Sequence, residues 1–239
     1  GVYGVTAVTC VVAEVPGKVA RIDAVDARNV REQIELLLAG FPIGAIKTGL
    51  LFSAEVVGVV ASILEKRGSK IPLVVDPVMV ATSGDALLQP QAIASYQTRL
   101  FPLAALVTPN LPEAAALSGR PVRDLDEMKA VGNELARKFR TRILLKGGHL
   151  TGDRAIDLLC DGKTVVEFSA PFVAGVSTHG TGCTYSAAIA ARLALGDPLP
   201  DAIARAKDFV SRAIREYFSW ATSLGEVHAL NHRPSGEHR

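Results

Sequence analysis

The chain has 239 residues, of which 49% are hydrophobic and 21% charged, and its formal net charge is +2. This length suffices for one sizeable α/β domain, and so small a charge gives no electrostatic case for a nucleic-acid partner. The three cysteines are widely separated, which excludes a disulfide framework and favours a reducing, cytoplasmic compartment. The sequence has no apolar run of membrane length and no signal segment, so a membrane partner is not expected.

The first half of the chain alternates predicted strands with predicted helices. A β-branched run over 5–12 is typical of a strand buried on both faces. Asp26 is placed to cap a helix whose apolar residues recur at helical spacing. Further strands are predicted over 45–48 and 73–76, with a helix between them. The segment 81–85 is rich in turn residues and is our candidate lid.

The second half continues this alternation and adds a hairpin. Its predicted elements are a helix over 92–99, a strand over 106–108, helices over 110–119 and 126–140, strands over 142–146, 155–160 and 164–168, and helices over 184–193 and 199–219. The Asp-Gly pair at 161–162 is a strong hairpin signal. The order of elements predicts a mostly parallel, doubly wound sheet with one late antiparallel hairpin. We expect one domain over 1–224 and a polar tail over 225–239, frayed at its end.

The segment 179–183, His-Gly-Thr-Gly-Cys, lies where a predicted loop becomes a predicted helix of small residues. The N–H groups of a first helical turn have no internal acceptor, and with the helix dipole they make an anion site. Cys183 falls on this turn, where the pKa of a thiol is lowered. The pattern predicts a phosphate site beside an activated acid–base group. A tight turn with a small buried cysteine is the plainer alternative.

Charged and amide side chains fall where predicted strands end. Ligands of doubly wound sheets bind outside the carboxyl ends of the strands, which is where we expect Glu14, Asp76, Asn110, Glu113 and Lys146. Asp76 and Glu113 suffice for a magnesium–nucleotide site, because Mg²⁺ takes its other oxygens from phosphates and water. Lys146 is suited to neutralise triphosphate charge. Two structural alternatives stay open, since Asn110 and Glu113 have capping-box spacing and Lys146 has the position of a solvated strand-end lysine.

Four segments of the chain carry a specific resemblance. They read Val-Val-Asp-Pro-Val-Met at 74–79, Thr-Pro-Asn-Leu-Pro-Glu-Ala at 108–114, Leu-Lys-Gly-Gly-His at 145–149 and Thr-His-Gly-Thr-Gly-Cys-Thr at 178–184. In this order they resemble the hydroxymethylpyrimidine/phosphomethylpyrimidine kinases of thiamin biosynthesis, members of the ribokinase-like superfamily. The resemblance covers nearly the whole chain. Sugar kinases of that superfamily carry aspartate where this chain has Cys183, whereas pyrimidine and some pyridoxal kinases carry cysteine.

The resemblance implies a ribokinase-like three-layer α/β/α sandwich and a kinase that uses ATP and Mg²⁺. It assigns Cys183 as the base, Gly180, Thr181 and Gly182 as the anion hole, Asp76 and Glu113 to Mg²⁺, Asn110, Lys146 and Thr181 to ATP, and Glu14, Leu50 and Val78 to the substrate pocket. The implied substrates are 4-amino-5-hydroxymethyl-2-methylpyrimidine and its monophosphate. Members of the family are commonly dimers, so a homodimer is expected.

The chain departs from the family pattern in three places. The family's opening strand, its Ser-Gly-Gly loop and the following helix are expected before Gly1, where this sequence starts without methionine. Glu14 stands where the family usually has glutamine, and a carboxylate accepts hydrogen bonds but cannot donate them. Leu50 replaces a usual methionine, which is a mild change of pocket shape. A pyridoxal kinase and a catalytically incomplete nucleotide-binding fragment therefore remain the alternatives.

Overall fold

The structure is a computed structural model, and it describes most of the chain. The described residues are 1–15, 18–67, 71–79, 88, 90–148, 150, 152–176, 179–223 and 225–233. The candidate lid over 81–85 lies outside them. Within the described residues, no helix combines the length and the apolar character that a membrane crossing requires.

Strands and helices alternate along the described chain. The strands are β1 (Cys10–Val15), β2 (Lys18–Ala24), β3 (Ile46–Thr48), β4 (Leu73–Val75), β5 (Leu106–Val107), β6 (Ile143–Lys146), β7 (Arg154–Cys160), β8 (Val165–Pro171), β9 (Phe218–Thr222) and β10 (Gly225–Ala229). The helices are α1 (Ala27–Gly40), α2 (Ala54–Arg67), α3 (Pro90–Ser95), α4 (Leu111–Ser118), α5 (Leu125–Phe139), α6 (Thr181–Ala194) and α7 (Leu199–Arg215). A π-helical turn over Tyr96–Leu100 extends α3.

The central sheet has six strands in the order β3-β4-β5-β6-β7-β8. The first four are parallel, whereas β7 pairs antiparallel with β6 and with β8. Asp161 closes the hairpin between β7 and β8, because its carboxylate accepts from the backbone N–H groups of Lys163 and Thr164 at 2.9 and 2.7 Å. The predicted mostly parallel sheet with a late hairpin is confirmed.

Helices cover both faces of this sheet, which confirms the three layers. Side chains of a strand alternate between the two faces. Leu73 and Val75 of β4 pack into a core with α1 to α5, whereas Val74 between them packs into a second core with α6 and α7. Near-continuous apolar strands are what a sheet buried on both faces requires.

Two short hairpins lie outside the central sheet and differ from the predictions. The strand predicted over 5–12 is wrong, because β1 starts only at Cys10, pairs antiparallel with β2 and is largely exposed. The helix predicted to Ser219 ends at Arg215 and is followed by the β9–β10 hairpin. A β-branched or aromatic run favours extended backbone without specifying its partner. Here β1 and β2 follow one another closely in the sequence, and so short a separation favours local pairing.

Candidate active site

The carboxyl ends of four parallel strands meet at one edge of the central sheet, as predicted. The backbone N–H of Asp76 donates to the carbonyl of Thr48 at 3.0 Å, and the N–H of Thr108 donates to Val75 at 2.9 Å. Asn110 forms an isolated parallel β-bridge with Lys146. Asp76, Asn110 and Lys146 are therefore held side by side on backbone that the sheet fixes.

Asp76 is a carboxylate fixed on both of its oxygens. The residue is 2% exposed. Its Oδ1 accepts from Lys146 Nζ at 2.9 Å and from Thr108 Oγ1 at 3.1 Å, and Oδ2 accepts from Ser186 Oγ at 3.1 Å. Burial acts to raise the pKa of Asp76, but the ammonium groups of Lys146 and Lys47 outweigh it and hold the pKa below its usual range. Asp76 is therefore a fixed negative charge at the strand edge.

The ammonium group of Lys146 lies between this carboxylate and the start of α6. A Cβ at Gly182 would come within 2.9 Å of Lys146 Nζ, so a larger residue there would displace the ammonium group. Burial acts to lower the pKa of Lys146, but Asp76 and Glu113 outweigh it and raise the pKa above its ordinary value. Lys146 is thus a partly buried, charged group. It is not the solvated strand-end lysine that the sequence offered as an alternative.

Glu113 is 3% exposed and lies one turn into α4. Its Oε2 accepts from the backbone N–H of Asn110 at 2.9 Å, and Asn110 Oδ1 accepts from the N–H of Glu113 at 2.8 Å. The capping box raised as a structural alternative is therefore present. Its second oxygen, Oε1, accepts from the N–H of Met79 at 3.1 Å, which a cap alone would not involve. Burial raises the pKa of Glu113, and Lys146 only partly offsets this.

That second contact fixes the turn that carries Val78. The φ angle of Val78 is 43°, a left-handed conformation that costs a β-branched residue about 1–3 kcal/mol. The N–H of the next residue, Met79, donates to Glu113, so the strained turn is tied to α4. Strain of this kind persists where the surroundings impose it, typically at functional sites.

Helix α6 begins three residues before the predicted position, so that the Gly-Thr-Gly segment forms its entry. Gly180 is the N-cap with φ 83°, a conformation that favours glycine, and its carbonyl accepts from the N–H of Thr184 at 2.8 Å. Thr181, Gly182 and Cys183 make up the first turn, whose N–H groups face out of the helix. This backbone matches the predicted anion site.

Cys183 is an exposed residue in this first turn, and its side chain lies against neighbouring protein. Desolvation by the neighbouring protein raises its pKa, the charges of Lys47 and Lys146 oppose this, and Asp76 adds to it. The net pKa is above the ordinary value, so the predicted lowering is wrong. The helix terminus and the two lysines act to lower the pKa of Cys183, but desolvation and the buried carboxylate of Asp76 raise it by more. This balance depends on residues that are distant in the sequence.

Alkylation should reveal this raised pKa. We expect iodoacetamide to modify Cys183 before Cys10 and Cys160, because only Cys183 is exposed. Only the thiolate reacts, so the rate should rise with pH to a midpoint above that of an unstructured peptide with the sequence of 178–184. Peptide mapping by mass spectrometry from pH 6 to pH 10 measures both the order in which the cysteines are modified and the pH midpoint for Cys183. A midpoint below that of the peptide would contradict the raised pKa.

The three residues predicted for the substrate pocket lie on separate segments: Leu50 follows β3, Val78 follows β4 and Glu14 is on β1. Leu50 packs against the main core, and its carbonyl accepts from Thr9 Oγ1 at 2.6 Å. Glu14 lies on β1, not at the end of a central strand as expected, and its Oε1 is 3.3 Å from Nε2 of His179. This contact joins the β1–β2 hairpin to the loop that enters α6.

Sequence reasoning missed four residues of the site. Thr108 and Ser186 hold Asp76, and Ser186 Oγ also donates to the carbonyl of Cys183 at 3.0 Å. Lys47 affects the pKa of both Asp76 and Cys183, and His232 lies 3.1 Å from Thr184. Only Ser186 had a signal, because a residue three positions after Cys183 shares its helix face.

An α/β/α sandwich with a glycine-capped helix entry against a lysine–aspartate pair defines a phosphotransferase of ribokinase-like fold, and the comparisons agree. The crystal structure of an ADP complex of Bacillus subtilis pyridoxal kinase superposes with a TM-score of 0.87 at 32% identity, covering 97% of this chain and 86% of that one. The hydroxymethylpyrimidine/phosphomethylpyrimidine kinase of Rhizobium meliloti is 42% identical over 90% of this chain and 80% of its own length.

The phosphomethylpyrimidine kinase family model matches residues 1–228, and the chain belongs to this family. Its similarity also extends to one part of a larger protein. The thiamine biosynthesis bifunctional protein ThiED of Geobacter sulfurreducens is 42% identical over 97% of this chain. The chain spans 46% of that relative, so about half of its length.

Proposed function

We propose that this chain transfers the γ-phosphoryl group of ATP to the hydroxymethyl group of 4-amino-5-hydroxymethyl-2-methylpyrimidine, and then phosphorylates the monophosphate, in thiamin biosynthesis. The observation that carries this proposal is the contact between the Asp76–Lys146 pair and the glycine-lined first turn of α6. It places a fixed positive charge and helix N–H groups around one point, where a transferring phosphoryl group would develop negative charge.

In this proposal Cys183 takes the proton of the attacking hydroxyl group on Sγ. A primary alcohol is a weak nucleophile, and general-base help contributes about 10²–10⁴-fold. Only the thiolate can accept this proton, and the raised pKa makes the thiolate the minor form near neutral pH but a stronger base where it is present. Gly180, Thr181 and Gly182 would hold the phosphoryl oxygens through backbone N–H groups. Positioning and neutralised charge supply the rest of the acceleration.

Asn110, Lys146 and Thr181 would contact the phosphates of ATP, and Asp76 and Glu113 would hold Mg²⁺ through water. Among the described residues, no three His, Cys, Asp or Glu side chains cluster as a metal site, but Mg²⁺ bound to phosphates needs no such cluster. Within the ranges that the structure describes, Asp76 Oδ2 accepts from Ser186, and each oxygen of Glu113 accepts from one backbone N–H. A carboxylate oxygen has two lone pairs, so such an oxygen can also accept from a water of the ion. These carboxylates therefore fit the ion, whose bound charge would offset that of the phosphates.

The pocket proposal assigns Glu14, Leu50 and Val78 to the acceptor ring. Glu14 would accept hydrogen bonds from the amino group of the pyrimidine, since a carboxylate only accepts. Leu50 and Val78 would contact the ring faces, and the fixed backbone of both makes such a pocket preformed. By the same family resemblance we propose a single domain, a homodimer and a cytoplasmic location.

A pyridoxal kinase is the second candidate, favoured by the TM-score of 0.87 to the Bacillus subtilis enzyme of that name. Pyridoxal is also a small aromatic ring that bears a hydroxymethyl group. The assay is ADP formation by the 239-residue chain with the pyrimidine alcohol, with pyridoxal and with neither. Higher kcat/KM for the pyrimidine supports the proposal, and turnover of pyridoxal alone supports the second candidate. Nucleotide binding without turnover of either would support the incomplete fragment.

A further inference from the structure

A second lysine, Lys47, reaches the same edge of the sheet from the opposite side of Asp76. Lys47 lies on β3, Asp76 follows β4, and Lys146 ends β6, so the strand order places the carboxylate between the two lysines. The Lys47 side chain extends along its own strand past Gly49, where a Cβ would come within 2.9 Å of Nζ. The ammonium group therefore lies at the carboxyl end of β3.

The two lysines differ in how the protein uses their charge. Lys146 donates to Asp76 at 2.9 Å and is thereby paired. In the described part of the chain, Lys47 Nζ has no hydrogen-bond or ion-pair partner, yet its charge is felt at Asp76 and at the Cys183 thiol. Lys47 is a half-buried residue, and an ammonium group with no acceptor among the described residues is suited to an anion supplied by a ligand.

The loop beside Lys47 is rigid enough to hold such an anion in one place. The hydroxyl of the buried Tyr96 donates to the carbonyl of Gly49 at 3.1 Å and accepts from the N–H of Leu51 at 3.3 Å. Thr9 fixes the carbonyl of Leu50 between them at 2.6 Å. Both carbonyls and the N–H are thus satisfied within the protein, so the loop itself is fixed before any ligand binds.

The position of Lys47 in the sheet indicates whether its anion is a phosphate of the nucleotide or of the acceptor. Asn110 and Lys146 lie on the β5 and β6 side, where the nucleotide phosphates are proposed to bind. Lys47 lies three residues before Leu50, on the side proposed for the acceptor, and within electrostatic reach of Cys183. The alcohol acceptor carries no anionic group, whereas the monophosphate acceptor carries a phosphate ester.

We propose that Lys47 binds the phosphate of the monophosphate acceptor and so determines the second phosphorylation. This role rests on the proposed function. It assigns to Lys47 a part in the second of the two proposed phosphorylations. The ammonium group would hold the phosphate ester so that one of its oxygens faces the transferring phosphoryl group. That oxygen is already ionised near neutral pH, so the second step needs charge compensation more than a base.

The test compares Lys47→Met with Lys47→Arg on both acceptors in the full chain. Lys47→Met keeps the length of the side chain and removes its charge. We expect kcat/KM for the monophosphate to fall about 10–100-fold further than kcat/KM for the alcohol, the range for a lost hydrogen bond to a charged group. The alcohol reaction registers the loss of the Lys47 charge near Cys183, and the extra loss on the monophosphate measures the phosphate contact. Lys47→Arg should retain most of the monophosphate reaction. Lys146→Met is the matched control and should lower both reactions.

Calorimetry without ATP gives a readout that a merely structural lysine would not change. The wild type should bind the monophosphate more tightly than the alcohol, and Lys47→Met should lose most of that preference. A rise only in the KM for ATP would instead place the lysine on the nucleotide and overturn the inference. The wild-type alcohol reaction tests the proposed function separately, so equal losses on both acceptors in an active enzyme would overturn only the role of Lys47.

Discussion

Replacement of Cys183 by alanine is expected to lower kcat for the pyrimidine alcohol about 100- to 10,000-fold, the contribution of general-base catalysis. The KM for ATP should change little, because the first-turn N–H groups and Lys146 stay in place. The residue is exposed on α6 and alanine is a strong helix former, so the fold should be unaffected. Steady-state kinetics with a thermal unfolding control measure both statements.

Cys183→Asp separates a base from a packing residue. A carboxylate in the same place accepts a proton, and by the family resemblance sugar kinases of the ribokinase-like superfamily carry aspartate there. The Cys183→Asp variant should therefore recover part of the activity that Cys183→Ala loses, although its volume and polarity fit the thiol position less well. If Cys183→Ala retained activity within tenfold of the wild type, the proton would have another acceptor and the assigned role would be wrong.

The order of elements and the position of the strand edge followed from the sequence. Runs such as 73–75 and 143–145 are apolar at every position, which is the pattern of strands covered on both faces. Once the strands are parallel, the residues that follow them must share an edge, so Asp76, Asn110 and Lys146 were predictable as neighbours.

Contacts between distant segments were not predictable in the same way. The alternation of residues does not tell whether β1 joins the central sheet or folds back on β2, since both outcomes satisfy its extended backbone. Thr108 and Ser186 reach Asp76 from a neighbouring strand and from α6, 32 and 110 residues away in sequence. The sign of the pKa shift at Cys183 depends on desolvation and on these distant charges, and a local motif contains neither.

A buried ion pair behind the site should dominate the effect of mutation on stability. Lys207 of α7 donates to Asp157 Oδ2 on β7 at 2.5 Å, and the two residues are 7% and 3% exposed. The other carboxylate oxygen accepts from the N–H of Gly147 at 3.1 Å, next to Lys146. Burial raises the pKa of Asp157 and the charge of Lys207 opposes this, so the carboxylate depends on its partner.

Lys207→Met should therefore lower the free energy of unfolding by about 3–5 kcal/mol, the cost of leaving a buried charge without its partner. Urea unfolding measures it, and Lys163→Met, at an exposed lysine in the β7–β8 turn, should stay within about 0.5 kcal/mol of the wild type. The double variant Asp157→Asn with Lys207→Met should recover much of the loss, because the amide oxygen still accepts from Gly147 while both charges are gone. A double variant as unstable as Lys207→Met alone would show that the loss does not come from the unpaired charge of Asp157.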